Sequence, residues 1–304
     1  MQVKVEKIAQ LTGHNASIYA LEQGETASKL LSGAGDGWIV EWNLDDPDLG
    51  RVIAQVETQI FSLLHLPAHQ LVVAGNMNGG VHWVDLEDST KGKNIAHHKK
   101  GVFGIVAVGN MVYTIGGQGL LSKWDLATKK VVESLHLSNQ SLRCIAYSPI
   151  RNELAIGASD NGIYLLDANH LTIKQQLPNA HENSVFCLHY HPSQAFLLSG
   201  ARDAHLKIWD LENQCKNIFA EPAHWFTINA IAFHPNGRLF ATASRDKTLK
   251  IWDAMTFKLL KVLEPGRDAG HINSVNRLLW TSHHDYLISA SDDRSMIIWK
   301  ITEA

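Results

Sequence analysis

The sequence predicts an all-β fold assembled from repeated copies of one unit. The unit is clearest in residues 181–210, where two apolar runs, SVFCLHY and AFLLSG, flank a turn at His191-Pro192-Ser193. A third run, AHLKIWD, follows a tight turn at Arg202-Asp203. Short apolar or alternating runs between turn residues are typical of β-strands. The pattern recurs almost residue for residue in 224–253, and no helical period is sustained over three turns.

A fixed register extends over the chain. The position of Asp210 recurs at steps of 40 to 47 residues, at Asn43, Asp85, Asp125, Asp167, Asp253 and Lys300. Four units open with a histidine and reach a turn aspartate 22 residues later: His14 and Asp36, His181 and Asp203, His224 and Asp246, His271 and Asp293. A constant period of this length indicates seven structural repeats rather than two ordinary domains.

The two ends of the chain complement each other. The unit that ends at Asp253 is followed by another strand-like run, Phe257–Leu263, whereas the seventh unit ends with the chain at Ala304. An unassigned strand, Val3–Leu11, precedes the first unit. We predict that this strand completes the last unit and closes a ring, because closure removes exposed sheet edges.

These features resemble the WD-repeat β-propeller family. Gly13-His14, Gly270-His271 and the Trp-Asp pairs that begin at Trp124, Trp209 and Trp252 carry the resemblance, whose register spans essentially the whole chain. It implies a seven-bladed propeller of four-stranded antiparallel blades, like the G-protein β subunit, in one domain. The expected segments are the closing strand 1–11 and blades 12–56, 57–97, 98–136, 137–177, 178–219, 220–263 and 264–304.

Serine, histidine and aspartate in one unit could suggest a nucleophilic triad. Four copies at equal spacing favour a scaffold, and the resemblance implies buried hydrogen-bonded tetrads that include a tryptophan. The tetrads are His14, Ser32, Asp36, Trp42; His181, Ser199, Asp203, Trp209; His224, Thr242, Asp246, Trp252; and His271, Ser289, Asp293, Trp299. Blades two to four lack a complete set, so we expect them to rely more on apolar packing. No catalytic residue is predicted.

The resemblance also implies a docking surface on the face that carries the tetrads. By register, the candidates at the start of the innermost strands are Tyr19, Phe61, Phe103, Arg143, Phe186, Asn229 and Asn276; those before the turn residue include Met77, Arg202 and Arg245. Aromatic and arginine side chains dominate interface hot spots. The set favours an extended peptide with apolar anchors and some acidic residues, and Trp225 could enlarge the face. The phenylalanines could instead point into the blade core or the channel wall.

Composition excludes several classes of protein. The net charge of −3 provides no basic field for nucleic acid. The N-terminus lacks the apolar run of a signal peptide, and no apolar stretch is long enough to span a membrane. Three cysteines without CxxC spacing favour a reducing compartment, so we expect the cytoplasm. The seventeen histidines are spread over separate blades, so no metal or cofactor is predicted.

The leading hypothesis is a non-catalytic scaffold or adaptor that binds a protein or peptide on the tetrad-bearing face, alone or within a larger complex. One alternative is an enzyme with its site at the channel mouth. No acid pair or nucleophile–base pair outside the repeat register supports it. A nucleic-acid-binding module is a second alternative, which the acidic charge balance opposes.

Overall fold

A computed structural model describes residues 2–303. The described chain forms seven four-stranded antiparallel sheets. The innermost strand of each sheet contacts the innermost strand of the next, and that of the last sheet contacts that of the first. The sheets are therefore the blades of a closed seven-bladed β-propeller around a central channel, and the predicted fold class is confirmed.

The strands follow one another in chain order from the channel to the rim in blades one to six. Blade one contains β2 (Ile18–Gln23), β3 (Lys29–Ala34), β4 (Trp38–Asn43) and β5 (Asp46–Gln55); blade two contains β6 (Ile60–Leu66), β7 (Leu71–Asn76), β8 (Gly80–Asp85) and β9 (Lys93–Ala96). Blade three contains β10 (Val102–Val108), β11 (Met111–Gly116), β12 (Leu120–Asp125) and β13 (Lys130–His136); blade four contains β14 (Leu142–Ser148), β15 (Glu153–Ala158), β16 (Ile163–Asp167) and β17 (Ile173–Leu177).

The remaining blades have the same order, except that blade seven takes its rim strand from the start of the chain. Blade five contains β18 (Val185–Tyr190), β19 (Phe196–Ala201), β20 (His205–Asp210) and β21 (Lys216–Pro222); blade six contains β22 (Ile228–Phe233), β23 (Leu239–Ser244), β24 (Leu249–Asp253) and β25 (Leu259–Leu263). Blade seven contains β26 (Val275–Trp280), β27 (Tyr286–Ser291), β28 (Ser295–Glu303) and β1 (Val3–Thr12).

Helical structure is limited to three short segments in the described chain. One α-helical turn, α1, spans Pro265–Asp268, and two 3-10 turns span Pro67–His69 and Ser89–Lys91. Nothing among residues 2–303 is a helix long and apolar enough to cross a bilayer. Strand β21 runs three residues past the blade-five boundary at 219 expected from the sequence, and β1 runs one residue past 11.

The closing strand pairs as predicted. Strand β1 runs antiparallel to β28, from Val3 opposite Glu303 to Thr12 opposite Ser295, with a bulge between Lys7 and Ala9. Side chains alternate along β1, so that Leu11 is 1% exposed in the core whereas Ile8 is 40% exposed. The first and last strands of the chain thus close the ring.

The core lies between neighbouring blades. One cluster joins Val73 and Trp83 of blade two to Val102 and Trp124 of blade three, and similar clusters join other neighbours. The second strand of a blade is buried on both faces, as in Leu71–Asn76, which explains its continuous apolar run.

We predict that Leu11→Ala will lower the free energy of unfolding by about 2–5 kcal/mol, because the change leaves a cavity in the closed core. Ile8→Ala, on the exposed face of the same strand, is the matched control and should change stability little. Removing residues 1–10 should destabilise more than either substitution. Urea unfolding measures all three variants, and equal stability of Leu11→Ala and Ile8→Ala would contradict the closing role of β1.

Candidate functional site

The four predicted tetrads form buried hydrogen-bond chains. In blade one, the His14 Nδ1–H donates to Asp36 at 3.0 Å, the Ser32 hydroxyl donates to Nε2 at 2.7 Å, and the Trp42 indole donates to that hydroxyl at 2.8 Å. Blades five, six and seven have the same bonds. Each chain of hydrogen bonds connects the loop before the innermost strand of its blade to the second and third strands.

The tetrad hydroxyl groups have no access to a substrate. Ser32, Ser199, Thr242 and Ser289 are 0% exposed, and each contacts both its histidine and its tryptophan. A satisfied buried hydrogen bond stabilises a fold, whereas an exposed, activated hydroxyl is needed for nucleophilic catalysis. The geometry is that of a scaffold.

Burial and the paired aspartate act in opposite directions on the tetrad histidines. Burial lowers the pKa of His14, His181 and His224, and the aspartate opposes this only in part. Burial alone would raise the pKa of Asp203, but hydrogen bonds from His181 and from backbone amides outweigh it and lower the pKa to about 2. The imidazoles of His14, His181 and His224 are therefore neutral at neutral pH.

Blade three keeps part of the tetrad. His98 Nε2 lies 2.9 Å from Thr114 Oγ1, which also accepts from the Trp124 indole at 2.9 Å. Gln118 replaces the turn aspartate, and its amide lies 3.1 Å from His98 Nδ1. Because no carboxylate offsets burial, the pKa of His98 falls to about 4, with the neighbouring His97 lowering it further.

Blades two and four carry polar networks that the sequence did not predict. In blade four, Asp160 accepts from the Ser138 and Tyr164 hydroxyls at 2.6 and 2.5 Å. In blade two, the Asn76 amide donates to Glu57 at 2.7 Å and lies 2.9 Å from His82 Nε2. Polar groups of other types therefore fix the same turns, and the expectation that these blades rely more on apolar packing stays a prediction.

The first set of register positions meets at one place. Tyr19, Phe61, Phe103, Arg143, Phe186, Asn229 and Asn276, one from each blade, line a cavity of about 260 Å³ together with Arg277. Each of the seven lies at the start of an innermost strand, beside the loop that precedes it. We call this cavity the channel mouth.

The aromatic residues form a continuous arc along the channel mouth. Ring centroids of Tyr19 and Phe61 are 5.1 Å apart, and those of Phe61 and Phe103 are 5.4 Å apart. The Arg143 guanidinium lies 4.8 Å from the Phe103 centroid and 5.4 Å from that of Phe186, within cation–π range. All five side chains are half-buried. The phenylalanines line the upper channel and are not part of the blade cores.

The two asparagines are engaged by neighbouring blades. The Asn229 amide donates to the Val275 carbonyl at 2.9 Å, and the Asn276 amide donates to the Ile18 carbonyl at 3.0 Å. Arg277, which the register did not select, donates to the Tyr19 carbonyl at 2.9 Å. These three side chains join blades as well as line the mouth.

The outer part of the tetrad-bearing face is exposed. Met77 is 48% exposed, and Arg202 and Arg245 are also exposed. The structure thus places the second group of candidates outside the channel mouth, on the loops between the second and third strands.

Sequence reasoning selected Trp225 for this face but missed its apolar neighbours Phe226 and Ile272. Trp225, Phe226 and Ile272 are 83%, 57% and 72% exposed in the loops that open blades six and seven. The Trp225 and Ile272 amides donate to the carboxylates of Asp246 and Asp293, which places them next to the tetrads. We call these three residues the outer apolar patch. Apolar residues directly after the tetrad histidine were the available signal, since blades one and five have Asn15 and Glu182 there.

Comparisons with known proteins agree with this architecture. The family model described as "WD domain, G-beta repeat" matches residues 172–210, 213–253 and 257–300. The solved structure titled "Crystal structure of WD40 beta propeller domain of Doa1" is similar, with a TM-score of 0.84 and 20% identity, over 97% of this chain and 97% of that chain. No curated protein matches the sequence.

Seven four-stranded blades, four of them with complete tetrads, define a repeat propeller. The three matched segments are WD repeats, and the structural similarity shows the same propeller fold over almost the whole chain. The resemblance predicted from the sequence is confirmed.

We predict that Ser199→Ala will lower the free energy of unfolding by about 1–3 kcal/mol, because it leaves the buried His181 and Trp209 nitrogens without their shared partner. Ser193→Ala, at an exposed turn of the same blade, is the control and should have little effect. Denaturant unfolding followed by tryptophan fluorescence provides the measurement. If Ser199→Ala lowers the free energy of unfolding no more than the control does, this tetrad does not stabilise the blade.

We also predict that the free energy of unfolding will fall as the pH is lowered below about 6.5, the ordinary histidine pKa. The unfolded chain then binds protons that the native histidines with lowered pKa values do not, so acid favours unfolding. His98, with its pKa of about 4, contributes from pH 6.5 down to about 4. Urea unfolding at several pH values should show a shallower dependence for His98→Gln, and an unchanged slope would contradict the prediction.

Proposed function

We propose that this protein is a non-catalytic scaffold or adaptor that binds a protein or peptide on its tetrad-bearing face. WD40 propellers generally serve as protein-interaction scaffolds. The binding face is proposed because seven residues, one at the start of each innermost strand, come together in the channel mouth. A preformed apolar cavity with a few polar groups is the usual form of a recognition site.

The charges at this face support a ligand with acidic residues. Among residues 2–303, Arg143, Arg202 and Arg245 form no ion pair with a carboxylate. The pKa of Arg143 is lowered by burial and by the like charge of Arg202. A carboxylate of a bound peptide would neutralise both guanidinium groups, and Ser159 occupies only the Nε of Arg143.

The aromatic arc and the outer apolar patch supply apolar contacts on the same face. Tyr19, Phe61 and Phe103 offer a half-buried surface in the channel mouth, whereas Trp225 and its neighbours lie over blades six and seven. Exposed apolar patches on soluble proteins mark interaction sites. An extended peptide with one anchor in the mouth and a second over the patch fits both.

The enzyme alternative has less support. The tetrad hydroxyls are buried. The channel mouth has two arginines, two asparagines and four aromatic residues, but no carboxylate or histidine among the residues that line it. General acid–base catalysis requires such a group near the substrate. A nucleic-acid ligand is opposed by the net charge of −3.

We also propose a cytoplasmic location. Cys144, Cys187 and Cys215 are buried and free, which suits a reducing compartment.

We expect affinity capture with the intact chain to recover partners that a Tyr19→Ala/Phe61→Ala/Phe103→Ala variant loses, because the variant removes the apolar anchors of the mouth. A second variant, Trp225→Ser/Phe226→Ser/Ile272→Ser, tests the outer apolar patch with exposed residues only. Circular dichroism and thermal unfolding confirm that each variant is folded.

The matched control is Leu49→Ser/Ile150→Ser, which removes side chains that are 87% and 83% exposed away from this face. It should retain all partners. If both test variants retain every partner, the proposal is wrong. Turnover of ester, phosphate or glycoside substrates by the wild-type chain would favour the enzyme alternative.

A further inference from the structure

We propose that Asp45, His283 and His284 form a binding site for a divalent transition metal ion of the zinc type, on the face opposite the tetrads. We call these three residues the His–Asp cluster. The site is independent of the channel mouth and of the proposed partner. It is built from two blades that are distant in sequence.

Ring closure brings the cluster together. Asp45 lies in the turn between β4 and β5 of blade one, and the two histidines lie in the turn between β26 and β27 of blade seven. The Thr281 hydroxyl donates to the Ala27 carbonyl at 2.6 Å and fixes the histidine turn against blade one. The cluster therefore spans the junction between the last blade and the first.

The distances suit ligands that share one ion. One ligand atom from each of the three residues lies within 4.8 Å of the others. Zinc binds imidazole nitrogen at about 2.0–2.1 Å and carboxylate oxygen at about 2.0–2.2 Å. Two ligands of one tetrahedral ion are then about 3.3 Å apart, so small side-chain rotations complete the site.

The contact between His283 and Asp45 is informative. Asp45 Oδ1 lies 2.9 Å from His283 Nε2, yet within residues 2–303 this buried nitrogen has no hydrogen-bond partner. The carboxylate oxygen therefore lies off the direction in which the ring nitrogen forms hydrogen bonds. Two ligand atoms of one metal ion also lie close together without a hydrogen bond between them, because the lone pair of each is directed at the ion and not at the other ligand atom.

The backbone of the turn orients the histidines. His284 and Asp285 have φ values of +50° and +55°, which non-glycine residues seldom adopt and which persist only where the surroundings enforce them. The Trp280 indole donates to the Asp285 carbonyl at 2.9 Å and holds this conformation. As a result, the rings of His283 and His284 contact each other with centroids 4.3 Å apart.

The donor set selects the kind of ion. Two imidazoles and one carboxylate suit zinc, copper or nickel, whereas magnesium and calcium take oxygen ligands. The Asp45 side chain is 57% exposed and His284 is exposed, so a water molecule can occupy the fourth position. A bound ion would connect blades one and seven and thereby stabilise the closed ring by mass action.

Calorimetric titration of the full chain with Zn²⁺ at neutral pH tests the proposal. We expect one saturable site per chain, and a rise in the thermal unfolding midpoint as Zn²⁺ is added in excess. Asp45→Asn and His284→Ala each remove a ligand and should abolish both effects; their exposed positions leave the fold intact. His69→Ala, an exposed histidine in the corresponding turn of blade two, is the matched control and should behave as wild type.

Co²⁺ in place of Zn²⁺ gives a second readout, because four-coordinate Co²⁺ absorbs visible light strongly. The band should appear with wild type and His69→Ala and be absent from Asp45→Asn and His284→Ala. Binding of equal stoichiometry and affinity in wild type and both cluster variants would assign the ion to other histidines and overturn the proposal. Absence of saturable Zn²⁺ binding in the wild-type chain would overturn it as well.

Discussion

The pairing of β1 with β28 is the constraint on which the rest of the structure depends. Each blade buries apolar residues against its neighbours, so an open ring would expose the cores of two blades. The antiparallel ladder between the two ends of the chain prevents this. Blade seven then contacts blade one through the Arg277 and Asn276 hydrogen bonds to Tyr19 and Ile18, and the channel mouth and the His–Asp cluster both include residues from these two blades.

A second constraint acts on every turn between the second and third strands. Four blades satisfy it with an aspartate paired to a histidine, blade three with Gln118, and blade four with Asp160 and hydroxyl groups. In blade two, Asn76 accepts from the Gly80 amide at 2.7 Å and holds the turn from a different position. What these blades share is a polar side chain that forms hydrogen bonds at this turn, and several residue types fill that role.

The sequence predicts the parts of the structure that repeat and fails where contacts cross between blades. The fold and the tetrads follow from a period and a spacing within one unit, and the same register selected the seven residues of the channel mouth. The sequence does not decide whether Phe61 and Phe103 face a core or the channel. A strand pattern indicates on which side of the sheet a residue lies, but not what covers that side. Asn76 and Tyr164 lie outside the register positions. Asp45 and His283 meet only because the ring closes, so neither spacing nor composition indicates their contact.

The aromatic side chains of the channel mouth lie outside the cores between blades, which supports the recognition role proposed for this cavity. The four aromatic side chains extend from the innermost strands into the channel, so replacing one leaves no cavity between blades. Asn229, Asn276 and Arg277 also join neighbouring blades. The tetrads and the interblade clusters hold those strands in place, which keeps the mouth rigid and lowers the entropy lost on binding. Within this rigid frame, Arg143 rests on two phenylalanine rings with Arg202 as a like-charged neighbour. The partner proposed above would therefore place an acidic group beside the Arg143 guanidinium and an apolar group against the aromatic arc.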